Sequence, residues 1–383
     1  MKIKPYTINI PTKAIDDLKI RLGMTRFPDE IPNTDWQYGI PLALMKEMVH
    51  YWEEEFDWRK VEKKLNAFSN YKVNIDGIDI HFIYERGSGE NSIPILIPHG
   101  YPGSIYDMLE LIPYLTTPEK FGGESHNSFD VIIPSIPGHG FSESPLKKKF
   151  EDRQVANIFL KLMKLLGYEK FGAHGYDLGA SILGLLCLDH PESVIGYHTT
   201  SPGNPSPFIS EDTITTKPEK DYLSICKQWY SAEGGYAHIL GTKPQTSAYS
   251  LNDSPIGLAA FILEKWYLWT LPPNDDLFEQ FDKETLMANV SIYWFTQTIN
   301  SANRFYFEGK HTKWPDQNDF SDVPLGVSLT ATQSHERPPK EYVERLFPNI
   351  VFWKELNTGG HFVATENPQL VAKHIQEFFN MLL

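Results

Sequence analysis

From Tyr71 onward the apolar residues of this chain arrive in short runs, Ile78 to Tyr84, Ile93 to Pro98, Phe129 to Pro134 and Lys170 to Ala173, each soon closed by Gly or Pro. Runs of that length bounded by turn residues predict buried strands. Between them Val155, Ile158, Phe159, Leu162, Leu165 and Leu166 recur at helical spacing, and Gly167 stands where a C-terminal cap belongs. Strand and helix therefore alternate. Such alternation implies an α/β protein with a mostly parallel sheet and helices on both faces, whose ligand sites lie beyond the carboxyl ends of the strands.

The alternation is interrupted twice. Residues 1–70 are polar and aromatic-rich with helical texture, Trp36, Trp52 and Trp58 lying among charges, and are read as an N-terminal accessory segment. After Thr200 the pattern gives way to Pro, Asn, Tyr and Trp, with helical stretches around Pro255 to Trp269 and Glu284 to Gln297. Strand texture resumes at Leu325 to Thr330 and Asn349 to Leu356, and Leu370, Val371, Ile375, Phe378 and Phe379 share a final helical face. The division expected is a catalytic core of residues 71–202 and 311–383, carrying an inserted helical cap over 203–310.

Composition narrows the classes of partner. A formal charge of −14 disfavours nucleic acid and anionic membrane surfaces, leaving small molecules. Only two cysteines occur, Cys187 and Cys226, which favours a reducing compartment. No apolar stretch is long enough to span a membrane, and Met1 to Ile10 lacks the apolar core of a signal peptide. No metal-ligand spacing of the HExxH kind is present, and no cofactor is expected.

The chemistry begins at Gly172-Ala173-His174-Gly175-Tyr176-Asp177-Leu178-Gly179-Ala180, between a predicted strand and the apolar helix Ser181 to Leu188. This is the pattern of a nucleophile elbow, in which a strained strand-to-helix turn presents one side chain and tolerates only small residues two positions to either side. The competing reading makes Asp177 a simple helix N-cap. Upstream, His99-Gly100-Tyr101-Pro102-Gly103-Ser104 follows a strand where an α/β-hydrolase keeps half of its oxyanion hole, although Gly-Pro loops after strands are often plain turns. The Tyr101 N–H would be one donor and the Leu178 N–H, at a helix start, the other. Downstream, Thr358-Gly359-Gly360-His361-Phe362 follows the last strand, so His361 has the position of a general base, whereas His139, His190 and His238 fit packing or surface roles.

An aspartate in the elbow changes the reaction. A carboxylate attacking an acyl group gives an anhydride and gains little, so it suits displacement at sp³ carbon, forming an ester that His361-activated water then hydrolyses. The leaving group is either an epoxide oxygen, which needs a proton donor, or a halide, which needs N–H donors.

Over nearly its whole length the sequence resembles the microsomal-type epoxide hydrolases. The resemblance is carried by Pro5-Tyr6-Thr7-Ile8 through Arg26-Phe27-Pro28 and Asp57-Trp58-Arg59, by Gly235-Tyr236-Ala237-His238-Ile239, by Thr242 to Thr246, by Leu251 to Leu258, and by Asn303-Arg304-Phe305-Tyr306. It implies an α/β-hydrolase fold and an epoxide hydrolase converting an epoxide and water to a diol, and the many aromatics of the chain suggest a bulky, apolar epoxide. It also implies that Tyr236 and Tyr306 polarise the epoxide oxygen. That family's membrane-anchoring N-terminal helix is not expected here, so the enzyme is read as soluble and cytoplasmic, with a detoxifying role. A homodimer is the one protein assembly allowed for.

The resemblance places the acid that orients the histidine at residue 334, which here is Ser334, and serine cannot supply charge. Glu336 is the nearby candidate, and Asn204, after a predicted strand, is another position from which the histidine could be oriented. Two other classes compete with the epoxide hydrolase. One is a haloalkane or haloacid dehalogenase using the same Asp177 and His361, with Trp294 as a halide donor. The other is a non-catalytic ligand-binding relative that lacks the acid.

Overall fold

A computed structural model describes residues 2–202, 213–214, 216–270, 276–312, 314, 319–331 and 337–383. Its nine strands are β1 (Lys4–Pro5), β2 (Asn70–Ile75), β3 (Ile78–Glu85), β4 (Ile93–Leu96), β5 (Phe129–Pro134), β6 (Phe171–Gly175), β7 (Val194–Thr199), β8 (Leu325–Leu329) and β9 (Ile350–Glu355). They form one sheet in the order β1-β2-β3-β5-β4-β6-β7-β8-β9. From β5 to β9 every neighbouring pair is parallel, while β1, β2 and β3 add an antiparallel edge. Every residue of β5, β6 and β8 is buried, as expected where helices cover both faces of a parallel sheet. The β2–β3 hairpin turns on Asp76-Gly77, both at positive φ (53° and 85°), the backbone that an Asp-Gly turn adopts to match strand twist.

Helix α4 (Leu111–Thr116) follows β4, and helix α5 (Asp152–Leu165) is opened by a capping box between Glu151 and Gln154 and followed by Gly167 at φ 91°. Val155, Ile158, Phe159 and Leu162 lie on its buried face. Leu165, expected with them, is instead exposed, because it falls in the last turn as the chain leaves the core. Helix α6 (Asp177–Asp189) follows β6 directly. The last helix, Pro368–Asn380, buries Val371, Ile375, Phe378 and Phe379, with Leu370 half-exposed.

Between β7 and β8 lie helices Lys217–Glu233, Gly235–Leu240, Pro244–Leu251, Pro255–Leu268, Leu277–Gln280, Lys283–Thr296 and Ile299–His311. The N-terminal segment, with helices α1 (Thr12–Gly23), α2 (Leu42–His50) and α3 (Trp58–Leu65), is packed against this cap while β1 joins the sheet edge. The Trp52 indole N–H donates to Ser291 Oγ (2.9 Å), Trp36 stacks on Tyr267 at 3.5 Å, and Trp58 meets Phe295 edge-on at 4.9 Å. Arg21 pairs with Asp253 (3.1 Å) and Glu47 with Lys283 (2.6 Å). Two of the tryptophans that look scattered among charges, Trp52 and Trp58, are thus buried in this seam. Among the described residues no helix is long and apolar enough to cross a membrane.

Candidate active site

Asp177 is the first residue of α6 and has φ 49°, a conformation that costs a non-glycine residue roughly 1–3 kcal/mol. Its neighbours explain how the turn is tolerated. A Cβ on Gly175 would come within 2.9 Å of Gly179 C and Leu183 Cδ1, and one on Gly179 would strike the Pro98 and His99 carbonyls. The Tyr101 N–H donates to Asp177 Oδ1 at 2.8 Å, an approach that depends on Gly100, whose Cβ would lie 2.8 Å from the Asp177 Cβ. The first bond within α6 runs from the Ala180 N–H to the Tyr176 carbonyl (3.1 Å). The Leu178 N–H therefore has no acceptor within the helix and adds to the positive end of its dipole. Tyr176 is fixed from below, its hydroxyl donating to Asp107 Oδ2 (2.9 Å). Burial pushes the Asp107 carboxyl up to about 7.

His361 Nε2 lies 3.5 Å from Asp177 Oδ2, too far for a good hydrogen bond. Trp269 (4.7 Å between centroids), Phe362 (4.9 Å) and Tyr176 (5.5 Å) surround the imidazole. Desolvation in this cage pushes its pKa down to about 3. The nearby carboxylate pulls the other way, but without a hydrogen bond desolvation wins, so the ring is neutral at pH 7 and able to accept a proton. Two elements hold the loop. The His361 N–H donates to the Trp269 carbonyl (3.0 Å), and the Gly360 N–H donates to both carboxyl oxygens of Glu366 (3.0 and 2.9 Å). Glu366 is itself pushed up to about 7 by burial.

Opposite the elbow, Tyr236 on the cap helix Gly235–Leu240 and Tyr306 on Ile299–His311 meet edge-to-face with ring centroids 5.6 Å apart. Tyr306 also packs on Tyr101 at 5.3 Å, and Lys265 Nζ lies 4.6 Å from the Tyr236 ring centroid. Burial, reinforced by neighbouring negative charge including Asp177, raises both phenols. They remain neutral O–H donors across the physiological range.

The structure thus brings together Asp177, His361, Tyr101, Leu178, Tyr236 and Tyr306. The candidate orienting positions Ser334, Glu336 and Asn204 lie outside the described residues. Trp294, weighed as a halide donor, sits under the Arg21 guanidinium (5.7 Å) where the N-terminal segment meets the cap. His139 is buried, His190 half-buried and His238 exposed. No metal-binding group of His, Cys, Asp or Glu occurs among the described residues. Sequence reasoning missed Trp269, Glu366, Tyr176 and Asp107. Only Tyr176, beside the nucleophile, carried a local signal.

Residues 3–108 match the family model described as epoxide hydrolase N terminus, and residues 93–236 match that of the alpha/beta hydrolase fold. A Stigmatella aurantiaca protein is 38% identical over 99% of this chain and 85% of its own length. Epoxide hydrolase 1 of Sus scrofa is 33% identical over 99% of this chain and 89% of its own. The crystal structure of juvenile hormone epoxide hydrolase from the silkworm Bombyx mori superposes with a TM-score of 0.86 at 29% identity, covering 100% of this chain and 94% of that one. With full-length relatives at this identity and an aspartate elbow on the expected sheet, the chain belongs to the epoxide hydrolase family of the α/β-hydrolase fold.

Proposed function

We propose that this epoxide hydrolase works through a covalent ester on Asp177. Oδ2 attacks an epoxide carbon, the C–O ring bond breaks toward oxygen, and a proton from the Tyr236–Tyr306 hydroxyl pair neutralises the alkoxide. Neutral His361 then removes a proton from water, and the hydroxide adds to the Asp177 Cγ. Negative charge collects on Oδ1, which the Tyr101 N–H already holds and the Leu178 N–H can join. The Cγ–Oδ2 bond breaks, Oδ2 leaves with the diol and takes the proton of the hydroxyl newly added to Cγ, and the imidazolium proton returns to the tyrosinate through solvent, which restores the carboxylate, the neutral imidazole and the phenol.

The observation that carries this reading is the pair of touching tyrosines, Tyr236 and Tyr306, across from an aspartate that already sits on an oxyanion-hole donor. Two phenols suit an oxygen leaving group, whereas a halide would be better served by indole or amide N–H donors. The aromatic walls favour a bulky, apolar epoxide. Cys187 and Cys226 are both buried and in no disulfide, which supports a cytoplasmic setting, where the enzyme would serve to clear reactive epoxides. Multiple turnover of an aryl epoxide in ¹⁸O-water should place label in the Asp177 carboxyl group, read by peptide mass. Diol formed with an unlabelled Asp177 would discard the ester route.

A further inference from the structure

The histidine loop is held by the cap as well as by the core. Trp269, at the end of the cap helix Pro255–Leu268 and only 2% exposed, accepts the His361 N–H on its carbonyl and sets its ring against the imidazole. One turn earlier Trp266 stacks on Phe362 at 3.8 Å with the planes 2° apart. A second tie begins at Gln280, on the cap helix Leu277–Gln280, whose amide N–H donates to Glu366 Oε2 (2.9 Å). Glu366 in turn receives the Gly360 N–H. The fit is close, since a Cβ on Gly360 would lie 2.8 Å from Thr270 Cα. Asp177, by contrast, is held by the Tyr101 N–H of the core.

We propose that Trp269, and Gln280 acting through Glu366, are positioning residues for the general base, so that the seating of the cap governs ester hydrolysis more than epoxide opening. This rests on the roles assigned above to Asp177 and His361. Ring opening needs the nucleophile and the tyrosines. Water activation alone needs the imidazole, and Trp269, Tyr176 and Phe362 exclude solvent from it.

The test is rapid-quench mass spectrometry of full-length enzyme reacting with an aryl epoxide, following ester formation on Asp177 and its decay. His361→Gln serves as the trapped reference. Trp269→Ala should slow ester decay about tenfold or more, as misplacement of a catalytic group does, and should slow formation clearly less, since Trp269 reaches that step only through its ring contact with Tyr236 (5.7 Å). Ester should then accumulate in the steady state. Trp269→Phe should restore decay, because the Trp269 indole N–H has no hydrogen-bond partner among the described residues. Gln280→Leu touches neither tyrosine and should slow decay by about threefold with formation unchanged, deciding the matter if Trp269→Ala does not fold. Equal slowing of both steps, or no change in decay, would overturn the inference and leave the ester mechanism standing. If even His361→Gln carries no ester, the Asp177 reading fails, and the inference with it.

Discussion

Tyr236 and Tyr306 meet edge to face at 5.6 Å, so both hydroxyls can serve the same epoxide oxygen. Replacing either with Phe removes one donor and leaves the other hydroxyl to act on the substrate. Each single variant should lower the rate of ester formation by about 10–100-fold, within the range of general-acid effects, and the double variant, which keeps no donor, should lose more than the product of the two. Single-turnover ester formation on the three variants checks this; strictly multiplicative losses would mean the hydroxyls act independently. At this scale the sequence was most legible where neighbours constrain a residue locally. Asp177 stands out because Gly175 and Gly179 are required by backbone approaches under 3 Å, and His361 because two glycines precede it. Trp269 and Glu366 gave no such sign. Trp269 acquires its role only when residue 269 is brought onto residue 361, and Glu366 looks like any polar residue of a short helix until burial and Gly360 define it.

Among the elements, strands that are apolar throughout were readable, with β5 found to the residue. β7 (Val194–Thr199) was legible only as a strand without bounds ahead of Asn204, because Gly196 and His198 interrupt its run, and β1 is only two residues defined by its pairing with β2. The polar interruption in β7 belongs to a ladder across the sheet. His174 Nδ1 meets His198 Nδ1 at 3.0 Å, His198 Nε2 meets Ser328 Oγ at 3.0 Å, and Ser328 Oγ meets His374 Nδ1 at 2.9 Å. The chain links β6, β7 and β8 to the C-terminal helix, and all four residues are buried. Ser328→Ala would leave two imidazole nitrogens without their partner. A loss of about 2–4 kcal/mol in unfolding free energy is expected, from roughly 1–3 kcal/mol for each unsatisfied buried group. Urea unfolding measures it, and a loss below about 0.5 kcal/mol would show that the ladder contributes packing alone.

The same ladder bears on the stability of the whole molecule. Seven histidines among the described residues, His81, His99, His139, His174, His198, His361 and His374, are depressed by burial. The unfolded chain protonates them near pH 6.5 while the native state does not, so their contribution to stability falls as pH drops below that value. Asp107, Asp152 and Glu366, raised to about 7, work in the opposite sense, since between about pH 4 and 7 the native state holds protons that the unfolded chain has released. Seven against three leaves the unfolded state with more bound protons near pH 5.5. The melting temperature should therefore fall from pH 7 to pH 5.5; a flat or rising profile would refute the balance. The N-terminal segment has a different reach. It holds the cap through Trp52, Trp36, Arg21 and Glu47, while the histidine loop holds it through Trp269 and Gln280. A cap fastened to both is not expected to swing as a lid, so substrate and diol should pass without its opening. Turnover should then be insensitive to friction: raising solvent viscosity about threefold with glycerol should leave kcat unchanged, where a lid-gated enzyme would slow in proportion. Crystals of such a protein should also take up an epoxide analogue by soaking without loss of order.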